Sequence, residues 1–129
     1  MDDNVSVNVV PLLWVDNIEN SLQFYNRLGF RVVETWRPNG CLTWCSIKLA
    51  DAELMLQQRD DSESDKDQVR SHDEVELYFV CNDVDSLYRF FSTQGLQAST
   101  PKQAFYPMKQ VFLRDPDGRT ICFETPVET

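Results

Sequence analysis

The chain repeats itself. Set without a gap, VVPLLWVDNIENSLQFYNRLG (residues 9–29) falls on VELYFVCNDVDSLYRFFSTQG (residues 75–95) at a constant offset of 66. Asn17 lands on Asp83, Ile18 on Val84, Phe24 on Phe90, Tyr25 on Phe91 and Gly29 on Gly95. Each copy opens with an alternating run that reads as a strand. Asn17 or Asp83 then stands where a side-chain oxygen can accept an orphan N–H at a helix N-terminus. Apolar residues follow at helical spacing: Ile18, Leu22, Tyr25 and Leu28 in one copy, Val84, Leu87 and Phe91 in the other. Gly29 and Gly95 supply the left-handed residue that ends a helix. The sequence therefore predicts two β-then-α units.

More strands come after each helix. FRVVETW (30–36), CLTWCSIKL (41–49) and AELMLQQ (52–58) follow the first, with breaks at Pro38-Asn39-Gly40 and Asp51. LQAST (96–100), QVFLR (110–114) and TICFE (120–124) follow the second, with Pro101, Pro107 and a DPDG turn between them. In that turn Gly118 can take positive φ at no steric cost, and Pro116 presets φ where the turn begins. The order is βαβββ twice. Module 1 spans about 5–58 and module 2 about 74–125, joined by an acidic linker over about 59–73 that includes RDDSESDKD. One helix per module covers only one face of a four-stranded sheet. The expected fold is α+β: two tandem βαβββ modules in one domain over 1–129, forming a curved, cup-shaped mixed sheet with helices on the outer face. The cup closes within the chain or against a second copy.

Composition excludes several functions. With 129 residues and 42% hydrophobic content the chain can bury one core but not two. A net charge of −9 argues against nucleic acid, whose phosphates demand a basic surface, and suits a cationic ligand. No run approaches the ~18 apolar residues of a membrane span. The N-terminal MDDNVSV lacks the basic and apolar regions of a signal peptide, so a cytoplasmic protein is expected. The four cysteines form no CxxC pair. Cys41 and Cys45, in one expected strand, would stand about 13 Å apart, too far to bridge. Free, buried thiols are expected. His72, the one histidine, falls in the loop before the fifth strand.

PLLWVDNIENSLQFYNRLGF resembles the opening module, and VELYFVCNDVDSLYRFF with RDPDGRTICFE the closing module, of the glyoxalase, bleomycin-resistance and dioxygenase superfamily, also called vicinal oxygen chelate proteins. The resemblance covers nearly the whole chain. It implies the fold firmly and function loosely, because this scaffold hosts metal lyases, ring-cleaving dioxygenases, thiol transferases and non-catalytic drug-binding proteins. In the family's metal enzymes each of four strands offers one His, Glu or Gln into the cup. Carried over residue by residue, those slots fall on Val10, Met55, Glu76 and Cys122. Val10 cannot bind metal and Met55 is a poor ligand for hard or borderline ions. One thiolate and one carboxylate do not make a zinc or iron site. No metal or other cofactor is expected.

Strand parity assigns the cup other residues. Val10, Leu12 and Trp14 come from the first strand, Trp44, Ser46 and Lys48 from the third, and Met55 and Gln57 from the fourth. Glu76, Tyr78 and Val80 come from the fifth, and Cys122 and Glu124 from the last. Phe112 and Arg114 are left unassigned. The candidate ligand-binding set is Trp14, Trp44, Lys48, Met55, Gln57, Glu76, Tyr78, Cys122 and Glu124. It resembles a pocket for a flat, partly apolar or cationic organic molecule, and Trp14 and Trp44 could equally fill the cup or a dimer seam. Glu76, read as part of a central strand, should be paired, for instance with Lys48, or have a raised pKa. The leading expectation is a metal-free small-molecule-binding protein of the bleomycin-resistance type, a homodimer engaged in drug or antibiotic sequestration. The alternatives are a lyase or dioxygenase, metal-dependent or with Glu76 or Glu124 as general base, and a degenerate copy serving a protein partner.

Overall fold

The computed structural model describes residues 4–60 and 75–127. Its elements are β1 (Leu12–Val15), α1 (Ile18–Leu28), β2 (Arg31–Trp36), β3 (Trp44–Leu49), β4 (Ala52–Gln58), β5 (Leu77–Val80), α2 (Val84–Thr93), β6 (Lys102–Gln103), β7 (Met108–Arg114) and β8 (Thr120–Pro126), with a short 3-10 turn at Pro38–Gly40. The two halves have the same topology. Sheet 1 runs β1-β4-β3-β2 and sheet 2 runs β5-β8-β7-β6, each with one parallel pair, β1 with β4 and β5 with β8. The fold is thus α+β with two βαβββ modules, each carrying its own four-stranded mixed sheet.

Local chemistry sets both helix starts. Asn17 is extended, at φ −143°, and its side chain accepts from the Asn20 N–H at 3.1 Å. Asp83 does the same for Ser86 at 3.1 Å. Such caps contribute about 1 kcal/mol each. Gly29, at φ 115°, ends α1 in the left-handed region, and Gly95 at φ 73° follows α2.

The buried faces meet in one core. Leu13, Val15, Ile47, Leu54, Leu56, Ile121 and Phe123 pack with Tyr25 and Leu28 of α1 and Phe91 of α2, with Leu49, Leu77 and Phe79 partly buried against them. Phe123 stacks on Phe79 at 4.9 Å and tilts against Phe91 at 5.0 Å. Phe30 meets Phe79 edge-on at 5.7 Å, so the aromatic packing crosses from module 1 to module 2.

A buried polar clasp also joins the modules. Asp115 opens the DPDG turn, and its Oδ2 accepts from Arg119 Nη1 at 2.7 Å and from the Tyr25 hydroxyl at 2.8 Å. Its Oδ1 takes the backbone N–H groups of Asp117 and Arg119. Arg119 Nη2 reaches the Trp14 carbonyl, and Asp117 Oδ1 accepts from the Asp16 N–H. The turn of module 2 is therefore tied to β1 and α1 of module 1. Burial, then the neighbouring Asp115 charge, holds the Tyr25 hydroxyl well above its ordinary pKa, so it serves as a neutral donor.

Several boundaries differ from the sequence reading. The strand expected at 96–100 is absent; β6 is Lys102–Gln103, beyond Pro101. Ser99 explains why: its N–H donates to the Phe112 carbonyl and its hydroxyl accepts the Phe112 N–H, a local side-chain pairing beside β7 instead of a ladder. β1 begins at Leu12, leaving Val10 ahead of it and Pro11 without a ladder donor. Cys41 ends the 3-10 turn rather than lying in β3, and it is exposed, not buried. Most of the acidic linker, and His72, lie outside the described residues.

Candidate functional site

Each sheet presents one face to the helices and leaves the other open. On sheet 1 the register Leu12↔Met55↔Ser46 forms one row of the open face, and Lys48↔Glu53 another. Between Trp14 and Trp44 lies Gln57, which is paired to both. Trp36 of β2 pairs with Trp44 and extends the row across the whole sheet: Trp14, Gln57, Trp44, Trp36. These are all three tryptophans of the chain. Trp14 is 46% and Trp36 58% exposed, well above a core tryptophan.

Trp36 is one residue the sequence reading missed. A bulge between Val32 and Glu34 shifts the register of β2. Strict alternation from Arg31, which pairs with Lys48, would send Trp36 to the helix side; one extra residue returns it to the open face.

On sheet 2 the open face carries Tyr78 beside Cys122 and Val80 beside Glu124. The unassigned parity of β7 is now settled, since Phe112 pairs with Cys122, Gln110 with Glu124 and Arg114 with Thr120. Phe112 meets Tyr78 edge-on at 6.3 Å. Glu124 is only 8% exposed. Its Oε1 accepts from the Tyr106 hydroxyl at 3.0 Å and from Gln110 Nε2 at 2.9 Å, and Gln110 also donates to the Tyr106 oxygen. Tyr106 and Gln110 were not foreseen, because Tyr106 comes from the β6–β7 loop, whose course strand periodicity does not fix.

Glu76 is not where the sequence reading put it. It precedes β5, is exposed, and accepts from the Tyr78 hydroxyl at 3.2 Å, while Lys48 pairs with Glu53 at 3.7 Å. β5 is also an edge strand rather than a central one, so the burial that would have forced a partner on Glu76 is missing.

The four metal slots of the resembled enzymes do not fit a metal. Val10 is outside β1, Met55 offers a thioether, Glu76 is the one carboxylate, and Cys122 is buried. Burial, then the Glu124 and Glu76 charges, pushes the Cys122 thiol up to about 12. Among the described residues no cluster of three or more His, Cys, Asp or Glu could hold a metal ion.

The thiols themselves make a prediction. Burial raises Cys45 to about 11 as well. Exposed Cys41 is expected to react first with a thiol-exchange reagent, with Cys45 and Cys122 silent until the protein unfolds; equal rates for all four cysteines would contradict the burial pattern. Both buried thiols have folded pKa values above the unfolded one, so their contribution to stability is complete below about pH 8.5 and is lost as pH rises through about 11 to 12.

Among the described residues, hollows open between elements of the two modules. One of about 700 Å³ lies among Phe24, Arg27, Leu96, Phe112 and Arg114. Another, about 550 Å³, lies between the β3–β4 turn and the start of α2, and a third, about 280 Å³, between β1 and β5 beside Trp14. Among the described residues no helix is long and apolar enough to cross a membrane.

Comparison with known proteins agrees with this architecture. The family model for the glyoxalase/bleomycin resistance protein/dioxygenase superfamily matches residues 7–123, and the chain belongs to that superfamily. A bleomycin-binding protein solved in complex with bleomycin is 19% identical, with a TM-score of 0.66 over 96% of this chain and 100% of that one. TnmS3, an antibiotic-binding protein from Streptomyces sp. CB03234, is 20% identical, with a TM-score of 0.66 over 95% and 99%. A glyoxalase/bleomycin resistance protein/dioxygenase from Nocardioides is 15% identical, with a TM-score of 0.72 over 98% and 88%. No curated protein sequence matches.

Proposed function

We propose that this chain is a metal-free small-molecule-binding protein, a cytoplasmic homodimer that sequesters a drug or antibiotic. The row of three tryptophans and Gln57 on an open sheet face carries this reading: broad rigid surfaces for stacking, with one amide in their midst to orient the ligand. The antibiotic-binding neighbours of the same fold support it, and four free cysteines suit a reducing compartment. The candidate binding residues remain Trp14, Trp44, Lys48, Met55, Gln57, Glu76, Tyr78, Cys122 and Glu124, with Trp36 added. A homodimer would cover the open faces, where Trp14 and Trp36 on sheet 1 and Tyr78 and Val80 on sheet 2 are exposed.

A thermal-shift screen over cationic and aromatic antibiotics, bleomycin included, tests the function. A ligand at one hundred times its dissociation constant should stabilise by about 2.7 kcal/mol. A stoichiometric divalent metal in protein purified without chelator would overturn the metal-free reading, and a monomeric mass by light scattering would overturn the dimer.

One observation favours an enzyme of the same superfamily instead. Glu124 is fixed at Oε1 by two neutral donors. That is the arrangement a general base needs, a carboxylate held in one orientation. Conversion of a bound ligand that stops in Glu124→Gln, with binding retained, would select this reading; Glu76→Gln tests the other candidate.

A further inference from the structure

The charge on Glu124 is not balanced. Burial of a carboxylate is costly unless a cation or enough hydrogen bonds replace water. Here only neutral groups answer it: Tyr106 and Gln110, both at Oε1. Oε2 takes no hydrogen bond or ion pair among the described residues, and it is not sealed in the interior. Lys102 stands in the same cross-strand row, beyond Gln110, exposed and without an ion pair to Glu124 among the described residues. Other basic side chains are engaged elsewhere. Lys109 pairs with Asp85 at 2.8 Å, Arg114 donates to the Gly118 carbonyl, Arg119 is held by Asp115, and Lys48 pairs with Glu53.

Apart from Lys102 at the far edge of the sheet, the surroundings on that face are aromatic or neutral. Val80 and Cys122 flank Glu124, Tyr78 and Phe112 form the edge-on pair next to them, and the Cys122 thiol stays protonated at neutral pH. Glu76, bonded to Tyr78, adds a second negative charge and no positive one. A largely buried anion beside aromatic rings complements a positively charged nitrogen on an otherwise apolar molecule. An anionic ligand would meet two carboxylates, and a neutral one would leave Oε2 unanswered.

The geometry points to Glu124 as the residue that selects the ligand's charge: its Oε2 receives a protonated nitrogen, an ammonium or amidinium, while Tyr78 and Phe112 wall the apolar part beside it. This rests on the small-molecule-binding reading above and names its ligand class as an organic cation. Tyr106 and Gln110 act through Glu124 as positioning residues, turning Oε2 outward by occupying Oε1.

The test compares two planar probes of similar shape by calorimetry at pH 8: proflavine, a cation there, and acridine, neutral there. Wild-type protein should bind proflavine about tenfold or more tightly than acridine. Glu124→Gln keeps the side-chain shape and should erase the preference by lowering proflavine affinity. Tyr106→Phe removes one donor but no charge and should keep the preference. Equal wild-type affinities, or a preference that survives Glu124→Gln, would overturn the charge assignment and leave the binding function standing. Binding of neither probe would count against both. The wild-type ratio needs no variant, so the assignment can fail even if Glu124→Gln does not fold.

Discussion

Arg119→Ala should lower the unfolding free energy by about 3–5 kcal/mol, read from urea denaturation at constant m-value. The size follows from burial: the Arg119 side chain is 4% and the Asp115 side chain 0% exposed, so truncation leaves an unpaired carboxylate with no access to water. Tyr25→Phe removes a single donor to the same oxygen and should cost only about 1–2 kcal/mol. Apolar replacement of the ion pair, often harmless elsewhere, should fail here, because Asp115 Oδ1 also serves the Asp117 and Arg119 N–H groups. A loss below about 1 kcal/mol for Arg119→Ala would mean that the clasp is not a principal tie between the modules.

Trp44→Ala, at the centre of the tryptophan row, should weaken ligand binding by about 2 kcal/mol, roughly thirtyfold. Trp14→Ala should do nearly as much, and Trp36→Ala, at the sheet edge, less. Fold stability should change little for Trp14 and Trp36, which are already about half exposed. Calorimetry with a hit from the antibiotic screen measures the affinities, and light scattering measures the mass alongside. Unchanged affinity with loss of the dimer would assign the row to a subunit seam rather than to a ligand.

Much of this was legible in the sequence, and the failures share a cause. The repeat predicted both helices with their caps, because capping and helical periodicity are local. Strand parity placed Trp14, Trp44, Met55 and Cys122 on the open faces, because a period of two leaves no freedom once register is set. Parity was not applied to the second strand, and Trp36 was missed there; its facing depends on a bulge that no alternation announces. Parity failed at Glu76, where a strand was extended two residues beyond its ladder. The clasp was invisible for a different reason. Tyr25 occupies the position of Phe91 in the repeat and reads as another core aromatic, and only the approach of a turn ninety residues away gives its hydroxyl a purpose. The hydrogen bonds around Glu124 depend in the same way on a loop that brings Tyr106 back over β8.

The tryptophan row gives the molecule a built-in optical reporter. Trp14, Trp36 and Trp44 are its only indoles, and all stand on one face of one sheet, so the near-ultraviolet emission of the intact protein comes chiefly from that surface. A ligand stacking there should shift or quench most of the signal. One binding at the hollow beside Phe112, or at the one by the start of α2, should leave all three tryptophans largely unchanged. A titration followed by eye of spectrometer can therefore tell where a compound sits before any labelled variant is made.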